Sequence, residues 1–300
     1  MSRPLRIEFP NAVYHIFSRG NERKEIFRSG TDYELFLSIL KDTCERFDLV
    51  VHAYSLMPSH FHLLLETKDS NLSQAMKRLL GLYTVRFNRL HKRSGHLFQG
   101  RYKALLVDKD NYFLEVSRYV HLNPVKANIV QSPEDHPWSS MRYYLKEKAP
   151  DFLHRDFTLK SFQSRSDYKR FVMEGLKTGE DPFKKVIGGL IIGSEDFLNK
   201  LQAKIAKNKK NEFCGKKEFF RKPVDEVTKH LGDYDRNFSV YALWKYARTT
   251  QRQIGERFKI SHSAVSIAVK RFQSRLSEDK MLRNRVMNFE KVIQKSNVED

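Results

Sequence analysis

Apolar and polar residues alternate from Ala12 to Ser18, and the run stops at Arg19-Gly20-Asn21, so it reads as a first β-strand. From residue 33 the period changes. Tyr33, Phe36, Leu37, Leu40 and Cys44 recur at helical spacing to about Phe47, with Thr31 as the expected N-cap and Glu34 completing a capping box. Leu49 to Met57 returns to strand texture, Pro58-Ser59 supplies a tight turn, and His60 to Glu66 is the hairpin partner. Asn71 or Ser73 then caps a helix to about His91, whose stripe is Leu72, Met76, Leu79, Leu80, Tyr83 and Phe87. Gly95 to Lys103 predicts a short hairpin leading into Ala104–Val107. Asn111 to Leu122 predicts a helix ending near Pro124. The order βαββα(ββ)α predicts an antiparallel sheet covered by helices on one face, a ferredoxin-like α+β domain closed by Trp138 to Leu145.

Beyond that domain the texture changes twice. Ser161–Met173 and Ser194–Ala206 predict helices on either side of a Gly188-Gly189 break, and the Lys- and Asn-rich run Lys204 to Lys222 predicts a linker. From Asp233 the chain reads as all helical: Val240–Tyr246, then Gln253–Phe258, then Ser261–Leu276. The turn Lys259-Ile260-Ser261-His262 gives helix-turn-helix spacing. Ala264, Val265, Ala268 and Phe272 are expected to face the core, leaving Ser263, Ser266, Lys270 and Arg271 for a DNA groove. The predicted division is a catalytic domain at 1–147, a helical extension and basic linker at 148–235, and a helix-turn-helix domain at 236–300.

Charge changes this picture by naming a partner. The 300 residues carry a net charge of +19, and residues 201–300 hold 23 Lys+Arg against 12 Asp+Glu, so the surplus is spread over both halves. Such basicity points to a polyanion, nucleic acid first. Cys44 and Cys214 are the only cysteines and form no CxxC pair, which argues against a disulfide framework and fits a reducing cytoplasm; Cys44 sits on a helix's apolar stripe and is expected in the core. No signal-like or membrane-spanning apolar stretch is evident, so a membrane partner is not expected.

His60-Phe61-His62 carries the candidate chemistry. Residues two apart on a strand share a face, so both imidazoles stand side by side while Phe61, Leu63 and Leu65 pack on the other side. Tyr119 and Asn123, one helical turn apart, share a face of a helix. Two neutral imidazoles and one amide oxygen form an incomplete shell suited to Mg²⁺ or Mn²⁺, with open positions for phosphodiester oxygens. Tyr119 is then placed to attack phosphorus and form a covalent phosphotyrosine that a DNA 3′-hydroxyl can reverse. Tyr112 is a rival nucleophile, and His52 and His121 are secondary or structural candidates.

The run Met57-Pro58-Ser59-His60-Phe61-His62-Leu63-Leu64-Leu65-Glu66 resembles the HUH motif of single-tyrosine transposases. Gly100-Arg101-Tyr102-Lys103-Ala104 and Arg118-Tyr119-Val120-His121-Leu122-Asn123-Pro124-Val125-Lys126-Ala127 resemble the other signature blocks of their REP-associated branch. The likeness covers about residues 5–145. It implies a metal-dependent endonuclease and strand transferase acting on single-stranded, hairpin-forming DNA, with His60, His62 and Asn123 as metal ligands and Tyr119 as nucleophile. The tail from Tyr246 through Ser266 is similar to the DNA-binding domain of the replication initiator DnaA, which implies duplex contact.

Basic residues near the motif complete the expected DNA surface: Arg19 and Asn21 after the first strand, then Arg78, Arg86, Arg89, Arg101 and Lys103, with Phe98 and Tyr102 interleaved for base stacking. Two other readings stand beside the transposase: a DNA-binding regulator of repeat elements with little or no transposition, and a metal-dependent nuclease that uses water. A monomer and a homodimer are both compatible with the sequence.

Overall fold

Pro58 and Ser59 leave the chain two residues in which to reverse, and the strands on either side pair directly from Met57 opposite His60. The computed structural model thus has β2 (Leu49–Met57) and β3 (His60–Thr67) as a tight hairpin. On the other side of β3 lies β1 (Ala12–Arg19), and beyond it β4 (Lys103–Val107), every pairing antiparallel. The order β2-β3-β1-β4 is the ferredoxin-like arrangement expected from the sequence.

Residues 7–179, 181–187, 189–207 and 221–295 are described by the structure. They fall into two units that divide at 214/215. The 148–207 part of the predicted extension lies in the first unit with the sheet, and 221–235 lies in the second. The middle of the predicted linker, 208–220, and Cys214 with it, lies outside the described residues.

Helices cover both faces of the sheet, not one. α1 (Gly30–Phe47) and α2 (Leu72–Leu90) pack on the face where Phe61 points; the Phe61 ring lies 5.0 Å from Phe36, which in turn meets Tyr83. α3 (Phe113–Lys126) lies on the opposite face, where Val13, Ala53, Leu64, Leu105 and Val107 close over Phe113, Val116 and Val120. Each wholly buried aromatic contributes roughly 1.5–3 kcal/mol of transfer free energy. Both sides of β1 and β3 are therefore dry, which is why the strands are buried nearly along their whole length. The free edge of β2 is masked as well. Leu56 N–H donates to Trp138 O, Ser140 N–H to Tyr54 O and His154 N–H to Val51 O, so the exposed backbone that could template another strand is used up.

Several boundaries differ from the sequence expectation. The N-cap of α1 is Ser29, not Thr31, and the buried Asp32 carboxylate accepts the backbone N–H groups of Arg28 and Ser29 and contacts His91 Nε2 at 2.8 Å. Asn71 precedes α2, but its side chain turns away to Phe47 O; Glu8 takes the Ser73 N–H and hydroxyl instead. Gly95–Lys103 is not a hairpin. Residues 95–102 are a loop with a single bridge from Phe98 to Gly20, held by Gln99 N–H on Arg19 O, and Lys103 already opens β4. α3 continues through Pro124 to Lys126, because a proline in the last turn forfeits only one internal hydrogen bond.

The chain after 145 builds on this core. α4 (Met141–Tyr144) and α5 (Asp156–Leu159) are single turns, and α6 (Arg165–Thr178), capped by Ser164, packs on α3. The glycine break is a miniature hairpin, β5 (Val186–Ile187) and β6 (Ile191–Ile192), with Gly189 at φ +72°. β6 runs parallel to β4, extending the sheet to six strands. α7 (Glu195–Lys207) follows.

The second unit is helical: α8 (Val224–Lys229), α9 (Arg236–Tyr246), α10 (Gln251–Phe258), α11 (His262–Glu278) and α12 (Lys280–Lys295). Lys222 bridges to Tyr246 and Arg248 by backbone hydrogen bonds, tying the entry segment to the end of α9. α10 opens with a Thr250/Gln253 capping box and α11 with Ser261, whose hydroxyl accepts the Ala264 N–H. A Cβ on Gly255 would meet Ile260 O at 2.5 Å, so the close turn between the two helices requires glycine there. Val265, Val269 and Phe272 are buried; Ala264 and Ala268, expected beside them, are only half-buried.

Candidate functional site

Strand register decides which side chains meet. His62 stands opposite Phe17 of β1 and Ser55 of β2, His60 opposite Arg19, and Phe17 opposite Lys103 of β4. Cross-strand partners share a face, so both histidines of the motif arrive on the α3 side. α3 then presents Tyr119 and Asn123 to them. The result is a cleft of about 380 Å³ in which His60, His62, Tyr119 and Asn123 meet Arg19, Arg101 and Lys103. The His60 and His62 ring centroids are 5.4 Å apart, and the Tyr119 ring is 5.7 Å from His62.

Other predicted residues lie elsewhere. Asn21 is in a 3₁₀ turn, exposed, with its N–H on Leu97 O. Arg78, Arg86 and Arg89 are on α2 and do not line the cleft. Tyr112 precedes α3 and packs at the edge of the core, also outside the cleft lining. His52 pairs with the buried Glu66 carboxylate, and His121 bridges Tyr168 and Ser140, so both are structural. In the second unit Ser263, Lys270 and Arg271 are exposed and Ser266 is half-buried.

The cleft's electrostatics favour an anion and a neutral imidazole pair. Burial lowers His60 to about 4, helped by Arg19, and lowers His62 well below its usual value. Both rings are thus uncharged at neutral pH with lone pairs available. Among the described lining residues three are cations and none is a carboxylate. Tyr119 is pushed above the ordinary phenol range by burial and by the Asp181 charge, while a hydrogen bond from Asn123 partly offsets this. Asn123 Nδ2 also donates to Tyr119 O at 2.8 Å, which fixes the amide. Lys126 Nζ stands 5.3 Å from the Tyr119 ring centroid.

Two neighbours escaped the sequence reading. His15 of β1 is fully buried, stacks on His62 at 5° between planes, and shares a 2.9 Å Nε2–Nδ1 hydrogen bond with it. Burial lowers His15 to about 3, and its Nδ1 has no partner among the described residues. Phe183 sits 4.7 Å from the Tyr119 ring, edge to face. The expected apolar–polar alternation of β1 does not hold, since Val13, Tyr14, Ile16 and Phe17 put apolar residues on both faces, and His15 therefore gave no signal; nothing around Phe183 marks it in the sequence.

His60, His62 and Asn123 are the residues that could hold a divalent cation on the open side of the cleft. Among the described residues no cluster of three or more His, Cys, Asp or Glu has metal-binding geometry. Two imidazoles and an amide oxygen leave coordination positions for phosphate oxygens and water.

Residues 8–123 match the model of a transposase family described as IS200-like, a span that holds the four-stranded core, both cleft histidines, Tyr119 and Asn123. A Haemophilus influenzae protein provisionally named a REP-associated tyrosine transposase is 28% identical over 128 residues, which is 39% of this chain and 73% of that one. Two solved structures are similar: a REP-associated tyrosine transposase bound to a REP hairpin (16% identical, 51% of this chain and 94% of that chain, TM-score 0.43) and a Deinococcus radiodurans transposase (21% identical, 40% and 95%, TM-score 0.29). Among the described residues no helix is long and apolar enough to cross a membrane.

Proposed function

We propose that this protein is a transposase that cleaves and rejoins single-stranded DNA through Tyr119. The observation that carries this reading is the Tyr119 ring standing beside His62 in a cleft lined by Arg19, Arg101 and Lys103. The three cations draw a phosphodiester into the cleft and hold its non-bridging oxygens. The Tyr119 hydroxyl attacks phosphorus, a phosphorus–phenolic oxygen bond forms, and the bond to the 3′-oxygen breaks. The released 3′-oxygen takes up a proton as the phenolic proton leaves to water, and the 5′-phosphate stays on Tyr119. Attack by another 3′-hydroxyl runs the sequence backwards and joins two strands.

His60, His62 and Asn123 would hold Mg²⁺ or Mn²⁺, which supplies charge neutralisation at phosphorus when bound. For His62 to offer its Nε2 lone pair, Nδ1 has to carry the proton and donate to His15 Nε2, which lies 2.9 Å away. The name of the Haemophilus relative and the two signature blocks lead us to take hairpin-forming repetitive palindromes as the substrate class. In the second unit we read α10 and α11 as a helix-turn-helix that grips duplex through Ser263, Ser266, Lys270 and Arg271.

The test is covalent capture. Labelled single-stranded hairpin DNA is incubated with the protein and Mg²⁺ or Mn²⁺, denatured, and resolved by size. Wild type is expected to carry the label and Tyr119→Phe to lose it while still binding DNA. Cleavage that survives Tyr119→Phe refutes the phosphotyrosine route in favour of a water nuclease.

A further inference from the structure

Phe183 lies sixty residues beyond the segment that matches the transposase family, yet among the described residues its ring is one of three that surround Tyr119. His15 and His62 meet the phenol ring edge-on at 5.9 and 5.7 Å, and Phe183 meets it at 4.7 Å and 79°, closer than either. Phe183 also touches His15 at 5.1 Å and Phe17 at 6.1 Å, so it spans the nucleophile and the sheet beneath it.

Its own position is fixed from two sides. The Asp181 carboxylate accepts the Phe183 N–H at 3.0 Å, and Val186 N–H donates to Phe183 O, which shapes the 3₁₀ turn Pro182–Lys185. Immediately after the turn, β5 and β6 attach to the sheet: Leu106 N–H donates to Leu190 O and Asp108 N–H to Ile192 O, both at 2.8 Å. The hairpin thus anchors Phe183 to β4, the strand that carries Lys103.

We propose that Phe183 is a positioning residue for Tyr119, setting the direction of the phenol relative to the imidazole pair, so that it governs the rate of covalent attachment and not the affinity for DNA. This rests on Tyr119 being the nucleophile. A reacting atom held within the cleft only by its own side-chain torsions samples unproductive rotamers, and misplacement by about an ångström costs up to a hundredfold in rate. An edge-to-face ring restricts the phenol in a way that an aliphatic side chain of similar size does not.

The experiment compares Phe183→Leu, which keeps apolar volume, with Phe183→Tyr, which keeps the ring. A pool of 3′-labelled single-stranded hairpins with randomised flanks first supplies a substrate for wild type, the label staying with the fragment whose 5′-phosphate joins Tyr119. Single-turnover adduct formation on it is then followed over a range of DNA concentrations, beside melting temperature. We expect Phe183→Leu to lower the saturating rate about tenfold with an unchanged half-saturating concentration, and Phe183→Tyr to recover wild-type rate within about twofold. A Leu variant at wild-type rate, a loss seen in half-saturation alone, or a Tyr variant as slow as Leu would each overturn the proposal. If Leu lowers the melting temperature, Phe183→Met takes its place with the same criteria. Tyr119→Phe runs in parallel: an adduct from it, or none from wild type, removes the nucleophile assignment itself, whereas a blank Tyr119→Phe lane beside a fast Phe183→Leu lane removes only the role of Phe183.

Discussion

Lowering the pH from 7 to 5 should destabilise the first unit far more than ordinary surface titration would. His15 and His121 are fully buried and lowered to about 3, so both are neutral in the folded protein across this range. In the unfolded chain they titrate near 6.5. A depressed folded value means the stabilisation is whole above about 6.5 and is lost as pH falls towards 3, because only the unfolded chain takes up the protons. At pH 5 the unfolded chain gains about 2 kcal/mol per histidine, hence about 4 kcal/mol for these two, and His62 shifts in the same direction. Against a typical domain stability of about 5–15 kcal/mol this is a large fraction. The chain has two tryptophans, Trp138 in the first unit and Trp244 in the second. Urea unfolding of a Trp244→Phe variant, read by Trp138 fluorescence in chelator at pH 7, 6 and 5, isolates the effect. His121→Gln should flatten the pH dependence by about 2 kcal/mol. A midpoint that does not move between pH 7 and 5 refutes the assignment of these rings as buried and neutral.

Asp181→Asn removes a charge that raises the Tyr119 phenol, so the alkaline limb of the adduct pH–rate profile should move to lower pH; an unmoved limb shows that Asp181 does not act on Tyr119. Gly20→Ala places a Cβ 2.0 Å from Lys24 O and should cost about 1–3 kcal/mol in chemical denaturation, since a backbone oxygen cannot yield as a flexible side chain does. Lys270→Ala with Arg271→Ala should weaken duplex binding and reduce the magnitude of its log–log salt slope by about 2, leaving the adduct rate alone; an unchanged slope means those cations do not meet phosphate.

The hairpin β2–β3 was legible near its turn, because strand alternation and the two-residue Pro58-Ser59 reversal set Met57 opposite His60, whereas the register shift between Val51 and Ala53 left no mark in the sequence. The same alternation placed His60 and His62 together, and helical spacing put Tyr119 with Asn123. The meeting of the two pairs was an expectation that strand order makes possible. What stayed hidden was of three kinds. The start of α1 is ambiguous in the sequence because Thr31/Glu34 and Ser29/Asp32 both fit a capping box, and only the burial of Asp32 against His91 chooses between them. His15 was hidden because a strand dry on both faces has no contrast to read. Phe183 was hidden because β5 and β6 are two residues each, too short for any period to show.

α3 is gripped from behind. Ser117 and His121 both reach the Tyr168 hydroxyl, at 2.8 and 2.7 Å, and His121 Nε2 also contacts Ser140 Oγ at 2.7 Å. Swinging that rod outward would take Ser117, His121 and the Tyr168 hydroxyl from these partners in a dry interior, each at a cost of about 1–3 kcal/mol, while Ser140 keeps its bonds to the Tyr54 backbone. If Tyr119 breaks one strand and joins another, the anchor therefore stays put and the nucleic acid has to do the travelling.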